Sequence, residues 1–544
     1  MRHTLKKLAF VLASISCVWF SAQAQSTWPP ELIITPEKSD FVKTSTHADV
    51  MQFLSAIKEK SPYVQIFSMG KSQEGKEIPV AILGKPAIHN AEEAKLTGKP
   101  IIYIQGNIHA GEVEGKEAVM MLMRDILLGE KQNLLDNQII LFAPIYNTDS
   151  NDKMERGRRP SQEDSPLEIG IRENSQGLDL NRDGIKMEAF ESQALFNSVV
   201  TVWDPHLFVD LHTTNGTWHA YSLTWAPAYH YAGEYATYDF VNNNMLPSIT
   251  NTAKEKYGLF FGPYGDYYLQ QGWPPKNFYT YNHHPRYLVN QFSLRNRLAI
   301  LSEAFSHERF YQRIFSTYTF VYEILDYTNR YAREVVSVTQ KADEDAIKNI
   351  IENAGKVKKG VRFKMVPFEK LEDFRTYDYV KTKKEDGSDH WLRTGNIVTY
   401  KDVTYHAKFE ATVESTVPRG YIIPAEFSAI AEHLRKLGIK VDQLSKTKSF
   451  SGEVFQVDTL VKSPRKFEGH YMRTGKGKFV GAKREFKKGD FVIDAAQPLA
   501  NLIFYVLEPQ SDDGLLTWNF FDAYLENKGV GTKPVEYPVF KYFK

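Results

Sequence analysis

The sequence holds a single cysteine, Cys17, in 544 residues, and almost no excess of charge of either sign: 67 Lys and Arg against 66 Asp and Glu leave +1. So few thiols exclude a disulfide framework, and any zinc ligands must be sought among His, Asp and Glu. The even charge balance argues against nucleic acid as a main partner. Beyond the first 25 residues no apolar run is long enough to span a bilayer, and no internal repeat is found. What remains is ordinary globular material, with 42% hydrophobic and 24% charged residues. The aromatic share of 13% is on the high side, and several aromatic clusters fall in expected loops, where they hint at a binding cleft.

The first residues read as an export signal. Arg2, Lys6 and Lys7 precede an apolar stretch from Leu8 to Phe20, and Ala22-Gln23-Ala24 follows as a small-residue cleavage pattern. Removal of residues 1–24 would take away Cys17 and shift the balance from +1 to −2. The expected location is therefore the periplasm or the exterior, with no transmembrane segment after signal removal.

A chain of this length exceeds one compact core, so two or three domains are expected. From residue 28 to 331, apolar runs alternate with amphipathic stretches, which indicates an α/β domain. "VQIFSMGKSQEGKEIPVAILG" reads as a hairpin turning near Ser72 to Gly75. Ile101–Gln105, Ile139–Pro144, Leu207–Leu211 and Leu298–Leu301 read as buried strands. Helical patterns follow the first ("GKEAVMMLMRDILLGE") and precede the third ("MEAFESQALFNSVVTVW"). Residues 332–359 form a charged connecting segment with a helical pattern. Residues 360–544 read as a β-rich C-terminal region, divisible near Ser445, in which "YIIPAEFSAIAEHLRKLGIKVDQL" predicts strand, helix and strand. The stretch from Val454 to Lys544 reads as strand-like and aromatic, and "KTKKEDGSDH" as a solvated loop.

Chemistry gathers just past the four strands. The first leads into "GNIHAGEVEG", with His109 and Glu112; the second into the basic "YNTDSNDKMERGRRP". The third ends in Asp210-Leu211-His212 and the fourth in Ser302-Glu303. Ligands of open α/β sheets bind beyond the carboxyl ends of the strands. His109 and Glu112, three apart on one turn, can converge with His212 from another strand end as three metal ligands. Singly each has a plainer account, a surface pair or a hydrogen-bonded structural histidine; their joint placement favours metal. "GLDLNRDG" adds Asp179, a candidate acceptor for a ligand histidine, and Asn181 and Arg182, suited to clamping a carboxylate. Taken alone, that stretch is more simply a turn held by Asx hydrogen bonds.

As an ordered set, these residues resemble the zinc carboxypeptidases of the metallocarboxypeptidase (carboxypeptidase A-like) family over roughly residues 45–330. The resemblance implies a carboxypeptidase-like fold, a mixed β-sheet sandwiched by helices. It also implies one zinc per chain with a zinc-bound water, and removal of a C-terminal amino acid from a peptide substrate. On it, His109, Glu112 and His212 would be zinc ligands, and Glu303 the general base. Asn181 and Arg182 would hold the terminal carboxylate. For the arginine that polarises the scissile carbonyl, Arg156, Arg158 and Arg159 are candidates, with Arg159 preferred. For the family's mobile tyrosine the candidates are Tyr279, Tyr281 and Tyr287, with Tyr281 preferred. His283 and His284 of the same loop are expected in the substrate cleft or at the surface. Three alternatives stand beside this reading: an amidase or endopeptidase of cell-wall peptides, an N-acyl amino acid deacylase, and, in a different class, an inactive binding protein. Oligomeric state is not indicated.

Overall fold

The computed structural model describes residues 28–229 and 233–544. The expected export segment, residues 1–24, lies outside the described residues. Among the described residues, no helix is long and apolar enough to cross a membrane.

The chain enters through helix α1 (His47–Lys60), capped by the Thr46 hydroxyl accepting from the Asp49 amide. The hairpin appears as β1 (Val64–Lys71) and β2 (Glu77–Leu83). Then come β3 (Ile101–Gly106), α2 (Glu114–Leu128), β4 (Ile139–Ala143), β5 (Leu207–Thr213), β6 (Leu223–Pro227), α3 (Leu246–Tyr257), β7 (Phe261–Pro263) and β8 (Leu298–Ala304). Helices α4 (Phe310–Arg330) and α5 (Ala332–Asn353) follow. The eight strands form one mixed sheet in the order β1-β2-β4-β3-β5-β8-β6-β7. Its centre, β4-β3-β5-β8, is parallel, while β1, β2 and β6 bring antiparallel pairings.

The central strands are apolar without a break because both faces are covered. Ile102 and Ile104 of β3 pack with Val119, Leu122 and Ile126 of α2 and Phe320 and Ile324 of α4 on one face. Ile101 and Tyr103 point the other way, into a cluster with Leu195, Phe196 and Phe292. That second cluster runs on without interruption into C-terminal residues such as Tyr421, Leu434, Leu502, Phe504 and Trp518. The C-terminal region thus serves as the covering layer of the second face.

In this region β9 (Lys358–Val366) pairs with β12 (Lys408–Thr416), and β10 (Phe374–Lys383) with β11 (Asp389–Tyr400). The "KTKKEDGSDH" segment spans the tip of the β10–β11 hairpin. Gly420–Ile423, Ser428–Lys436 and Asp442–Gln443 form strand, helix and strand. A seven-stranded sheet is built around the long pair Lys448–Lys462 and Arg473–Phe486.

The strand-like reading of Val454 to Lys544 needs correction at the short helix Asp522–Asn527 and, above all, at Ala500–Leu507, which is a helix too. All eight of its residues, "ANLIFYVL", are buried. A segment enclosed on every side has no polar face, so it carries no 3.6-residue period to separate it from a buried strand.

Candidate active site

Between β3 and α2 the chain makes a tight crossing that shapes the first part of the site. Asn107 adopts φ 64°, and its side-chain amide donates to the carbonyls of Ala110 (3.2 Å) and Glu112 (3.4 Å). The Glu112 amide closes the turn on the His109 carbonyl at 2.9 Å. Glycine is required at 115 because α2 begins against β5: a Cβ there would lie 2.7 Å from the Leu211 Cβ. This close approach carries the His109–Glu112 turn to the end of β5, where His212 stands.

The three side chains converge. His109 Nδ1 lies 3.0 Å from Glu112 Oε1, and His212 Nδ1 lies 2.8 Å from Glu112 Oε2. One ligand atom from each falls within 4.8 Å of the others, and all three residues are buried. The far nitrogen of each imidazole faces a second carboxylate: His109 Nε2 meets Asp179 Oδ1 and His212 Nε2 meets Asp210 Oδ2, both at 3.0 Å. Such backing leaves each Nδ1 lone pair aimed inward and fixes the tautomer.

Four acids therefore crowd a buried volume. Burial would raise the Glu112 carboxyl, but His109 and Arg159 hold it well below its usual range. Burial would lower the His212 imidazole, yet Asp210 and Glu112 hold it well above its usual value. Burial pushes Glu303 up to about 8 against the opposing pull of His212. The cluster demands positive charge, whether from protons or from a cation. Two imidazoles and one carboxylate, buried and backed by further carboxylates, are a donor set that suits zinc.

A cavity of about 470 Å³ opens over this cluster. Glu303 lines it, as do Arg159, Asn181, Arg182 and Tyr281. Arg159 is anchored by the carbonyls of Thr213 (2.8 Å) and Thr214 (2.9 Å), and its Nη1 lies 2.6 Å from Glu112 Oε1. Of the other two candidates in that loop, Arg158 lines the cavity while bound to Glu155, and Arg156 is exposed beside Glu168. Asn181 Oδ1 accepts from the Leu288 amide, and its Nδ2 lies 3.3 Å from His212 Nε2. The Arg182 guanidinium stacks over the Tyr287 ring at 4.6 Å. Tyr281 and Tyr287 both reach the cavity, whereas Tyr279 stacks on His406 away from it. The Tyr281 hydroxyl donates to Asn290 Oδ1 at 3.1 Å.

His283 and His284 do not line the cavity, contrary to a cleft reading, and His283 is only 6% exposed, contrary to a surface one. Apolar packing against Phe363 and Phe409 draws it inward. Two residues of the site were not singled out for these positions from sequence. Asp210 is two residues from His212 on the same strand, so alternation alone puts both on one face. Arg172 grips Asp179 Oδ2 through Nε and Nη2 at 3.1 and 2.9 Å, and it lies in a loop without any periodic signal.

Residues 50–260 match the family model described as zinc carboxypeptidase. Carboxypeptidase 2 of Trichophyton rubrum is 21% identical over 530 residues, covering 92% of this chain and 88% of that protein. Carboxypeptidase D of Homo sapiens is 31% identical over 142 residues, 25% of this chain and 9% of that protein. Among solved structures, a metallo-carboxypeptidase from Burkholderia cenocepacia aligns at 14% identity and TM-score 0.39, covering 53% of this chain and 70% of that one. Carboxypeptidase A from Helicoverpa armigera aligns at 14% identity and TM-score 0.38, covering 54% and 75%. The sequence matches place a zinc carboxypeptidase domain within residues 50–260 and indicate a zinc metallocarboxypeptidase, a hydrolase.

Proposed function

We propose that this protein is exported and removes the C-terminal residue of peptides, with one zinc held by His109, Glu112 and His212. The observation that carries the reading is the convergence of both His Nδ1 atoms on the two oxygens of Glu112, with Glu303 on the adjacent strand. When bound there, zinc supplies Lewis acidity, lowering the pKa of water and polarising the scissile carbonyl.

The protein groups would divide the remaining work. Asp179 and Asp210 orient the two imidazoles. The Glu303 carboxylate takes the proton of the attacking water and returns it to the leaving amine. Arg159, fixed by two backbone carbonyls, presents its guanidinium to the oxygen that gains charge as the carbonyl becomes tetrahedral. Arg182 pairs with the terminal carboxylate of the substrate, and Asn181 offers a side-chain amide N–H. Tyr281, its hydroxyl held by Asn290, walls the space next to the site.

Incubation with a mixed library of free-acid peptides, read by mass spectrometry, tests the reading. Stepwise loss of single C-terminal residues is the expected result. Internal cleavage, or action confined to cell-wall peptides or N-acyl amino acids, would replace it with one of the alternatives. Export is tested separately by sequencing the N-terminus of the mature protein, expected at Gln25.

A further inference from the structure

We propose that His283, His284 and Asp512 form a second metal site, one that takes a divalent cation of the zinc class and clips the loop bearing Tyr281 and Tyr287 to the C-terminal region. Each residue offers one ligand atom, and these atoms lie within 4.8 Å of one another. None of the three lines the cavity over His109, Glu112 and His212.

The spacing fits a shared ion better than a hydrogen bond. His283 Nε2 is 3.3 Å from Asp512 Oδ2, and His284 Nε2 is 4.0 Å from the same oxygen. Two donors bound tetrahedrally to zinc at about 2.0–2.1 Å sit roughly 3.3–3.4 Å apart. His283 is therefore already at ligand-to-ligand distance, and His284 needs to close by about half an ångström to reach the same geometry.

The environment offers His283 Nε2 no hydrogen bond among the described residues. His283 is 6% exposed and packs edge-on to Phe363 at 4.8 Å between ring centroids, with Phe409 at 4.9 Å. Among the described residues its Nε2 is buried without a hydrogen-bond partner, a condition that native interiors avoid. Side chains of consecutive residues in an extended segment point to opposite sides. These two instead face one carboxylate.

Asp512 is held in place for that role. One oxygen accepts from the Tyr505 hydroxyl, and Oδ2 accepts from the Phe363 amide at 2.9 Å while keeping a lone pair toward the histidines. Two arginines face the cluster. Arg286 is neutralised by Asp513 at 2.7 Å, and Arg362 donates to the Gln510 carbonyl at 3.3 Å.

Metal counting on purified protein, dialysed against zinc and then against metal-free buffer, tests the inference. Wild type should retain two zinc ions per chain, His109→Ala one, His284→Gln one, and the double variant none. In the His109→Ala background, added Co2+ alone should give a visible ligand-field band and raise Tm, and His284→Gln should abolish both effects. Asp512→Asn keeps the side-chain shape and one of the two acceptor oxygens, so it repeats the test if His284→Gln fails to fold. A His109→Ala protein that binds neither zinc nor cobalt, or a folded His284→Gln or Asp512→Asn protein with the wild-type count, overturns the second site. The outcome is independent of the catalytic assignment. Should that assignment fail, His109→Ala keeps the full count, and the loss caused by His284→Gln still reports on this cluster.

Discussion

Glu303 stands beside His212 in the register of the parallel pair β5–β8. Paired residues on neighbouring strands project to the same side of a sheet. The sheet itself therefore brings the acid to the histidine, and no loop has to close for them to meet. Glu303→Gln preserves size and removes the proton acceptor. Turnover should fall by about two orders of magnitude or more while zinc content stays at the wild-type level. Parallel assays of kcat and bound metal check this, and normal turnover would move the base elsewhere.

Asp210 is fully buried and faces His212 Nε2 at 3.0 Å. Asp210→Asn keeps the shape and loses the charge that orients the imidazole. Zinc affinity should drop by roughly 10- to 100-fold, read by competition with a chelator of known strength. Asp179→Asn should act in the same direction through His109.

Arg182 supplies the test of which end of a peptide is bound. Matched peptides with free and amidated C-termini should differ strongly as substrates of the wild type, and Arg182→Ala should shrink the difference. Equal cleavage of both by the wild type would mark an endopeptidase, with Arg182 serving only to stack on Tyr287.

Gly115 touches the ligand geometry through packing alone. A methyl group there meets the Leu211 Cβ at 2.7 Å, and the start of α2 and the whole of β5 are buried. Gly115→Ala should cost about 1–3 kcal/mol of stability by overpacking. Thermal unfolding measures that cost, and a parallel zinc titration shows whether the His109–Glu112 turn moves with it.

The contact between His470 and Glu188 makes stability depend on pH. Hydrogen bonding to Glu188, at 2.9 Å, raises the His470 pKa above its usual value. A group whose folded pKa is raised contributes fully below its unfolded pKa, near 6.5, and loses that contribution as pH rises through the folded value. The Tm gap between wild type and His470→Ala should thus be wider at about pH 6 than at about pH 8.5. A gap independent of pH would reduce the contact to a neutral hydrogen bond.

Much of the catalytic half is legible in the sequence, for physical reasons that also mark where legibility stops. The strands that lead to His109, His212 and Glu303 are buried on both faces, so their apolar runs stand out, and the polar residues at their ends mark where they stop. His109 and Glu112 share one turn and can be read as a pair. Glu303 lies beyond the matched residues 50–260, and its place depends on pairing with a strand about ninety positions earlier. Arg172 reaches Asp179 only because a loop folds back, and no local pattern records such a return. His283 and His284 look like any pair in a polar loop until Phe363, Phe409 and Asp512 close around them. The helix at Ala500–Leu507 shows the remaining limit, since enclosure on all sides erases periodicity.

The β10–β11 hairpin lays the Arg393 guanidinium 3.4 Å from the centre of the Trp218 ring, whose other contacts include His307, stacked at 3.5 Å. Trp218 follows the strand of His212, and His307 follows that of Glu303. During synthesis the groups therefore emerge in a set order: the proposed metal ligands first, Glu303 next, and the residue that braces both loops later still. On the proposed roles, a nascent chain would be able to chelate before it could hydrolyse.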